Sequence, residues 1–331
     1  MRRAPLRVGP HQASLLAPLL LVAAFDLEGH RGARGLAPEN TLVAFAKALG
    51  LGVTTLEMDL AVTRDGVVVV SHDPALNPDL TRGPDGRWLD PPTPRILELT
   101  HAELRGYDVG RLRPLRPYGL VYPDQVPADG TRIPALREVY ELARRAGNED
   151  VRFNIETKIE PGRPELTPPP AEFVRAVLDV VRGARAAGRT MVQSFDWRTL
   201  RLVRETAPEI ETVCLTTEEG GGAQLARGQP GASPWLGGLD ADDYGGSAPR
   251  LAVAAKCRVW SPRYRDLSAA SLAEAHRLGL RVVPWTANER ADMKALIELG
   301  VDGIITDRPD RLREVMREKR LPLPKATPVV P

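Results

Sequence analysis

The side chains of this protein best suited to chemistry stand at the ends of short apolar runs. His30-Arg31-Gly32 follows one such run, and an imidazole next to a guanidinium offers a proton-transfer group beside an anion-binding fork. The next run reads Leu56-Glu57-Met58-Asp59-Leu60, and alternation along a strand sends Glu57 and Asp59 to one side. Two carboxylates aimed together repel unless a cation or a base neutralises them. That favours a hard divalent metal with oxygen ligands, Mg2+ or Ca2+, although the pair taken alone also fits two exposed acids held by arginines.

Asp65-Gly66 lies between Asp59 and the Ser71-His72-Asp73 run and is a strong hairpin signal. With the turn centred on Arg64 to Gly66, antiparallel counting sets position 59 opposite about 71 and position 57 opposite about 73. His72 is thereby brought back beside the carboxylates. A further run, Phe153-Asn154-Ile155-Glu156-Thr157-Lys158, supplies Glu156 as a third carboxylate for the metal, with Lys158 on the same side as a point charge for a phosphate oxygen. A buried Glu156–Lys158 ion pair without a ligand is the alternative. His101 and His276 read as surface residues.

Elements must hold these residues at one place. Strand-like runs at 25–30, 54–59, 152–157, 190–195, 211–216, 257–261, 281–286 and 303–306 alternate with helical periodicity at 41–49, 135–146, 171–186, 197–206, 268–278, 290–299 and 308–318. Repeated βα units with eight strands predict an α/β fold, a (β/α)8 (TIM) barrel, whose chemistry sits at the C-terminal strand ends. Residues 74–133 form a small insertion between the second and third barrel strands, and 218–250 form a long Gly- and Asp-rich loop. The barrel domain runs over 25–320, and the Pro-rich tail 321–331 is expected to be disordered.

The 331 residues are 43% hydrophobic and 27% charged, enough for one large barrel. A formal charge of +2, from 45 basic and 43 acidic side chains spread along the chain, provides no broad field for nucleic acid. Arg2, Arg3 and Arg7 precede the apolar run Leu15 to Ala24, the pattern of a secretory signal cut after Ala24. That run is too short for stable membrane insertion. A periplasmic or secreted location is therefore expected, with a cytoplasmic protein bearing a frayed N-terminal helix as the alternative. Cys214 and Cys257 have no metal-ligand spacing and are expected as buried free thiols, although export would let them pair.

Taken together, His30-Arg31-Gly32, Pro38-Glu39-Asn40-Thr41, Glu57-x-Asp59, Ser71-His72-Asp73, Asn154-Ile155-Glu156-x-Lys158, Gln193-Ser194-Phe195, Trp285-Thr286-x-Asn288 and Gly303-Ile304-Ile305-Thr306-Asp307-x-Pro309 resemble the ordered motifs of glycerophosphodiester phosphodiesterases of the exported bacterial type. The resemblance spans Glu28 to Pro309. It implies that His30 and His72 are the acid/base pair, that Glu57, Asp59 and Glu156 bind the metal, that Arg31 and Lys158 hold the phosphate, and that Trp285 lines the glycerol pocket. Small glycerophosphodiesters such as glycerophosphocholine are the implied substrates, and a glycerol hydroxyl is the implied first nucleophile. A phospholipase-D-like enzyme acting on lysophospholipid or sphingomyelin resembles the same motifs, and a silent binding protein would keep the barrel without the full residue set.

Overall fold

The computed structural model of the protein describes residues 24–218 and 224–331. The expected leader therefore lies almost wholly outside the described residues.

Eight parallel strands form the barrel: β1 (Asp26–Gly29), β2 (Thr55–Val62), β4 (Arg152–Thr157), β5 (Thr190–Ser194), β6 (Glu211–Thr216), β7 (Val259–Pro262), β8 (Arg281–Val282) and β9 (Gly303–Thr306). A ninth, β3 (Val68–Val70), pairs antiparallel with β2. The ring closes just beyond β8, where the Ile305 amide donates to the Pro284 carbonyl across 3.0 Å and the Ala287 amide to the Ile305 carbonyl across 3.2 Å. The expected strand at 281–286 is thus regular only over its first two residues.

Eight helices follow the barrel strands: α1 (Leu42–Leu51), α4 (Leu136–Arg145), α5 (Pro170–Gly183), α6 (Trp197–Thr206), α7 (Ala248–Ala254), α8 (Ala269–Arg277), α9 (Arg290–Leu299) and α10 (Pro309–Glu318). Two shorter ones, α2 (His101–Leu104) and α3 (Pro117–Leu120), belong to the insertion. Helix α7 was not anticipated, because the surrounding Gly- and Asp-rich stretch masks it. Its start is nonetheless signalled by the Ser247 side chain accepting from the Arg250 amide and by Pro249 in the first turn.

Strand alternation divides the core. Leu56, Met58 and Leu60 of β2 and Phe153 and Ile155 of β4 pack outward among the helices, which turns Glu57, Asp59, Asn154 and Glu156 into the barrel. Met191, Val213, Val259, Val283 and Ile305 fill the opposite side of the interior with apolar contacts. The barrel lumen is therefore acidic and amide-lined on one side and greasy on the other. The insertion builds a small core of its own, with Leu76, Ile96, Leu104 and Ile133 packed on Ala61 and Val69.

Two expectations are overturned here. Cys214 and Cys257 are joined in a disulfide with Cα atoms 5.9 Å apart, because the outward side chain on β6 meets the segment entering its parallel neighbour β7. The tail is ordered: the Thr327 amide donates to the Leu49 carbonyl across 2.8 Å, and Asn148 Nδ2 donates to Thr327 Oγ1 across 3.0 Å. Proline content alone did not reveal that these polar groups find partners. No helix among the described residues is long and apolar enough to cross a membrane.

Candidate active site

The mouth of the barrel is set by two bends. After β1, Gly32 takes φ +85°, and a Cβ there would lie 2.7 Å from the backbone of Ala44 in α1, so only glycine lets the chain turn against that helix. Arg31 and Asn40 also lie in the left-handed region, at φ 50° and 55°. That strain sits where the groups engage the acids: the Arg31 amide donates to Glu57 Oε2 across 2.8 Å, and Asn40 Nδ2 donates to Asp59 Oδ2 across 3.0 Å. The second bend is the 64–66 turn, which pairs Leu60 with Val70 and Val62 with Val68. This is the register expected from the Asp65-Gly66 signal.

Glu57, Asp59 and Glu156 each offer an oxygen within 4.8 Å of the other two, and all three are buried. The parallel register sets Asp59 directly beside Glu156. Burial, reinforced by Asp59, pushes the Glu57 carboxyl well up, and burial raises that of Glu156 to about 7 despite Lys158. Asp59 instead is held well below the usual carboxylate range: burial pushes it up, but the Arg31 and Lys158 charges outweigh that. Lys158 Nζ stands 3.1 Å from Glu156 and 3.9 Å from Asp59. Glu57 receives the Arg31 amide and, at 2.7 Å, Gln193 Nε2. A buried set of three carboxylates is chemically suited to a hard divalent cation.

The two imidazoles flank this set. His30 Nδ1 lies 2.6 Å from Asp307 Oδ1, while its Nε2 faces Glu57 at 3.9 Å. Burial and the Arg34 charge lower the His30 pKa to about 4, against the opposing pull of Asp307. His72 Nδ1 lies 2.8 Å from Asp73 Oδ1, and Lys158 Nζ lies 3.1 Å from its Nε2. Burial together with Arg31 also lowers the His72 pKa. Both rings are thus neutral near pH 7, with Nδ1 tied to a carboxylate and Nε2 turned to the cavity.

The sequence-derived candidates His30, Arg31, Glu57, Asp59, His72, Glu156, Lys158 and Trp285 all line one cavity of about 150 Å³. Arg31 is already engaged: its Nη1 donates to Glu39 across 2.6 Å, and its Nε is 3.1 Å from Asp59 but off the hydrogen-bonding direction, an ionic contact only. Trp285 packs edge-on against Phe195, with ring centroids 5.5 Å apart, and donates to the Ser261 carbonyl across 3.1 Å.

Six participants received no role from the sequence alone. Asp307 ties His30 and accepts from Arg34 Nε and Nη2 at 2.9 and 3.1 Å and from Asn288 Nδ2 at 2.7 Å. Gln193 orients Glu57, and Glu39, which accepts from the Tyr118 hydroxyl, holds Arg31. The signal for Asp307 was its position one residue past β9, at the catalytic end of a barrel strand. Arg34 and Tyr118 lie in irregular segments, where no periodicity points to a partner.

Fold and site define a barrel enzyme with a buried cluster of three carboxylates between two oriented histidines. The chain belongs to the glycerophosphoryl diester phosphodiesterase family, whose profile matches residues 30–311. It is 28% identical over 294 residues to the glycerophosphodiester phosphodiesterase of Caldanaerobacter subterraneus subsp. tengcongensis, covering 87% of this chain and 96% of that protein. A crystal structure assigned as a glycerophosphoryl diester phosphodiesterase, from Silicibacter pomeroyi, superposes with a TM-score of 0.79 at 36% identity, covering 91% of this chain and 96% of that one. The fold is shared, at 21% identity and a TM-score of 0.65, with an Oleispira antarctica phosphodiesterase solved in complex with the product sn-glycerol-3-phosphate, covering 88% of this chain and 96% of that one.

Proposed function

We propose that this protein hydrolyses glycerophosphodiesters to sn-glycerol 3-phosphate and an alcohol, using a divalent metal and the two histidines. The observation that carries the reading is the trio Glu57, Asp59 and Glu156, buried within 4.8 Å of one another and sharing a cavity with His30, His72 and Lys158. Family membership supplies the substrate class.

Glu57, Asp59 and Glu156 would hold the metal, which when bound supplies positive charge for the phosphoryl oxygens. Lys158 adds a second positive charge by turning from Glu156 to the phosphate. His30, neutral and fixed through Asp307, takes the proton of the attacking glycerol hydroxyl at Nε2. His72, at the edge nearest the wider outer opening, delivers a proton from Nε2 to the leaving oxygen as the P–O bond breaks. The anionic phosphate raises the proton affinity of His72, offsetting the effect of Lys158 and Arg31, so that its Nε2 takes up from solvent the proton it then delivers, while His30 stays neutral. Water then opens the cyclic phosphate with the two histidines exchanging roles, so one water is consumed per diester.

The test is release of glycerol 3-phosphate from glycerophosphocholine by wild type, His30→Ala and His72→Ala, with and without chelator. Turnover near wild type in a histidine variant removes that residue from the mechanism. Turnover unaffected by chelator removes the metal.

We also infer that the protein is exported. The leader pattern of residues 1–24 agrees with a disulfide, since such bonds persist in oxidising compartments. N-terminal sequencing of the protein from its native host should begin at Phe25; a retained Met1 overturns this reading.

A further inference from the structure

The catalytic cavity does not end at the acids. His72, Glu156, Lys158 and Phe195 also wall a second lobe of about 460 Å³, against about 150 Å³ for the catalytic one. The larger lobe falls in the range of roughly 300–1,000 Å³ that holds drug-sized ligands, more than an ethanolamine or choline group fills. Its far wall comes from segments outside the recognised motifs, Leu166 after β4 and Trp235 in the 218–250 loop.

The chemistry of the walls narrows the occupant. Every carboxylate there among the described residues is engaged: Asp73 with His72 and Asn77, Glu156 with Lys158, and Glu160 with Arg163 at 3.5 Å. Gln224 spends its amide on the Phe195 and Leu215 carbonyls and accepts from the Thr217 amide. The Phe195 ring already carries Lys158 Nζ 5.8 Å from its centroid. Among the described residues, a quaternary ammonium entering here meets the Lys158 and Arg163 charges, and the carboxylates beside them already carry partners. Pro74, Ile159, Leu166, Phe195 and Trp235 offer an apolar group the burial that drives binding.

We propose that this lobe binds the alcohol half of the diester and that the preferred alcohol is bulky, uncharged and apolar, with Leu166 and Trp235 setting that preference. The proposal rests on the phosphodiesterase reading of the adjoining site. His72 borders both lobes, so an alcohol seated here has its bridging oxygen beside that imidazole.

The experiment uses the metal-loaded full chain with the methyl, butyl and hexyl esters of sn-glycerol 3-phosphate and with glycerophosphocholine. Buried methylenes should raise kcat/KM by ~10-fold or more from methyl to hexyl, and the hexyl ester should outrun glycerophosphocholine. Trp235→Ala and Leu166→Gln should each shrink the hexyl-to-methyl ratio. A ratio near one in wild type, or preference for the choline ester, overturns the assignment of the lobe while leaving the phosphodiesterase reading intact. Variants that slow all esters equally overturn the role of Leu166 and Trp235. Absence of turnover on every ester instead overturns the underlying activity.

Discussion

The Ser71 amide donates to the Asp59 carbonyl across 2.9 Å, and this contact carries the β2–β3 register one step beyond the strands to the point where His72 faces the acids. Side chains alternate along the returning strand, so a shift of one residue would turn His72 away. Val67 to Val70 are all valine, and a slip therefore replaces valine by valine in the packed positions. Inserting one residue after Gly66 should leave a cooperatively melting barrel yet lower turnover by ~100-fold or more, the range assigned to a lost acid/base group. Circular dichroism melting and a glycerol 3-phosphate assay check it together; near-normal turnover would show that His72 is dispensable.

Much of this arrangement was legible before any coordinates. The β2 carboxylates and the Asp65-Gly66 turn are local signals with fixed geometry, so the fold-back of His72 followed by counting. Glu156 and Lys158 were readable from period-two alternation. The bond between Cys214 and Cys257 was not, because it depends on which strands become neighbours. The Arg34–Asp307 contact joins residues 273 positions apart, and nothing local to Arg34 marks it. The order of the tail escaped for the same reason: its partners Leu49, Asn148 and Arg313 lie elsewhere in the chain.

Asp307 fixes the tautomer of His30 and offsets the charge of Arg34. Asp307→Asn keeps the shape but removes the charge, so the His30 pKa, lowered to about 4 with Asp307 in place, should fall further. His30 then becomes a weaker base in the wrong tautomer, and kcat/KM should drop by ~10²–10⁴-fold, as in other oriented histidine dyads. The acid limb belonging to His30 in the pH profile of kcat/KM should move to lower pH. An unchanged profile with a lowered Tm would mean that Asp307 serves packing alone.

Metal affinity should depend on pH through Glu156. Burial holds its carboxyl at about 7 in the absence of metal, and a proton there must leave before an oxygen can ligate. Calorimetric Kd values should therefore weaken as pH falls from 8 to 6 and level off above the Glu156 titration. The metal-free protein should show the opposite trend in stability. Because the folded pKa lies above the ordinary value of 4.5, this group's contribution declines as pH rises from that value to about 7. A Kd independent of pH over this range would remove Glu156 from the ligand set.

The orientation of Glu57 is set from inside the barrel. Gln193 Nε2 donates to Glu57 Oε1 across 2.7 Å, which leaves Gln193 Oε1 to accept from Asn154 Nδ2 at 3.0 Å, and the same nitrogen reaches Glu28 Oε2 at 2.8 Å. Glu28 is itself pushed well up by burial and Asp26, so it titrates far above an ordinary carboxylate. This amide chain holds Glu57 in place before a metal arrives. Gln193→Leu should weaken metal binding by ~10–100-fold, the usual cost of losing a group that orients a ligand. Glu57→Gln should weaken it more, since it removes the charge itself. Calorimetric titration with Mg2+ or Ca2+ separates the effects: if Glu57→Gln impairs binding and Gln193→Leu does not, the ligand role of Glu57 stands and its positioning through Gln193 falls.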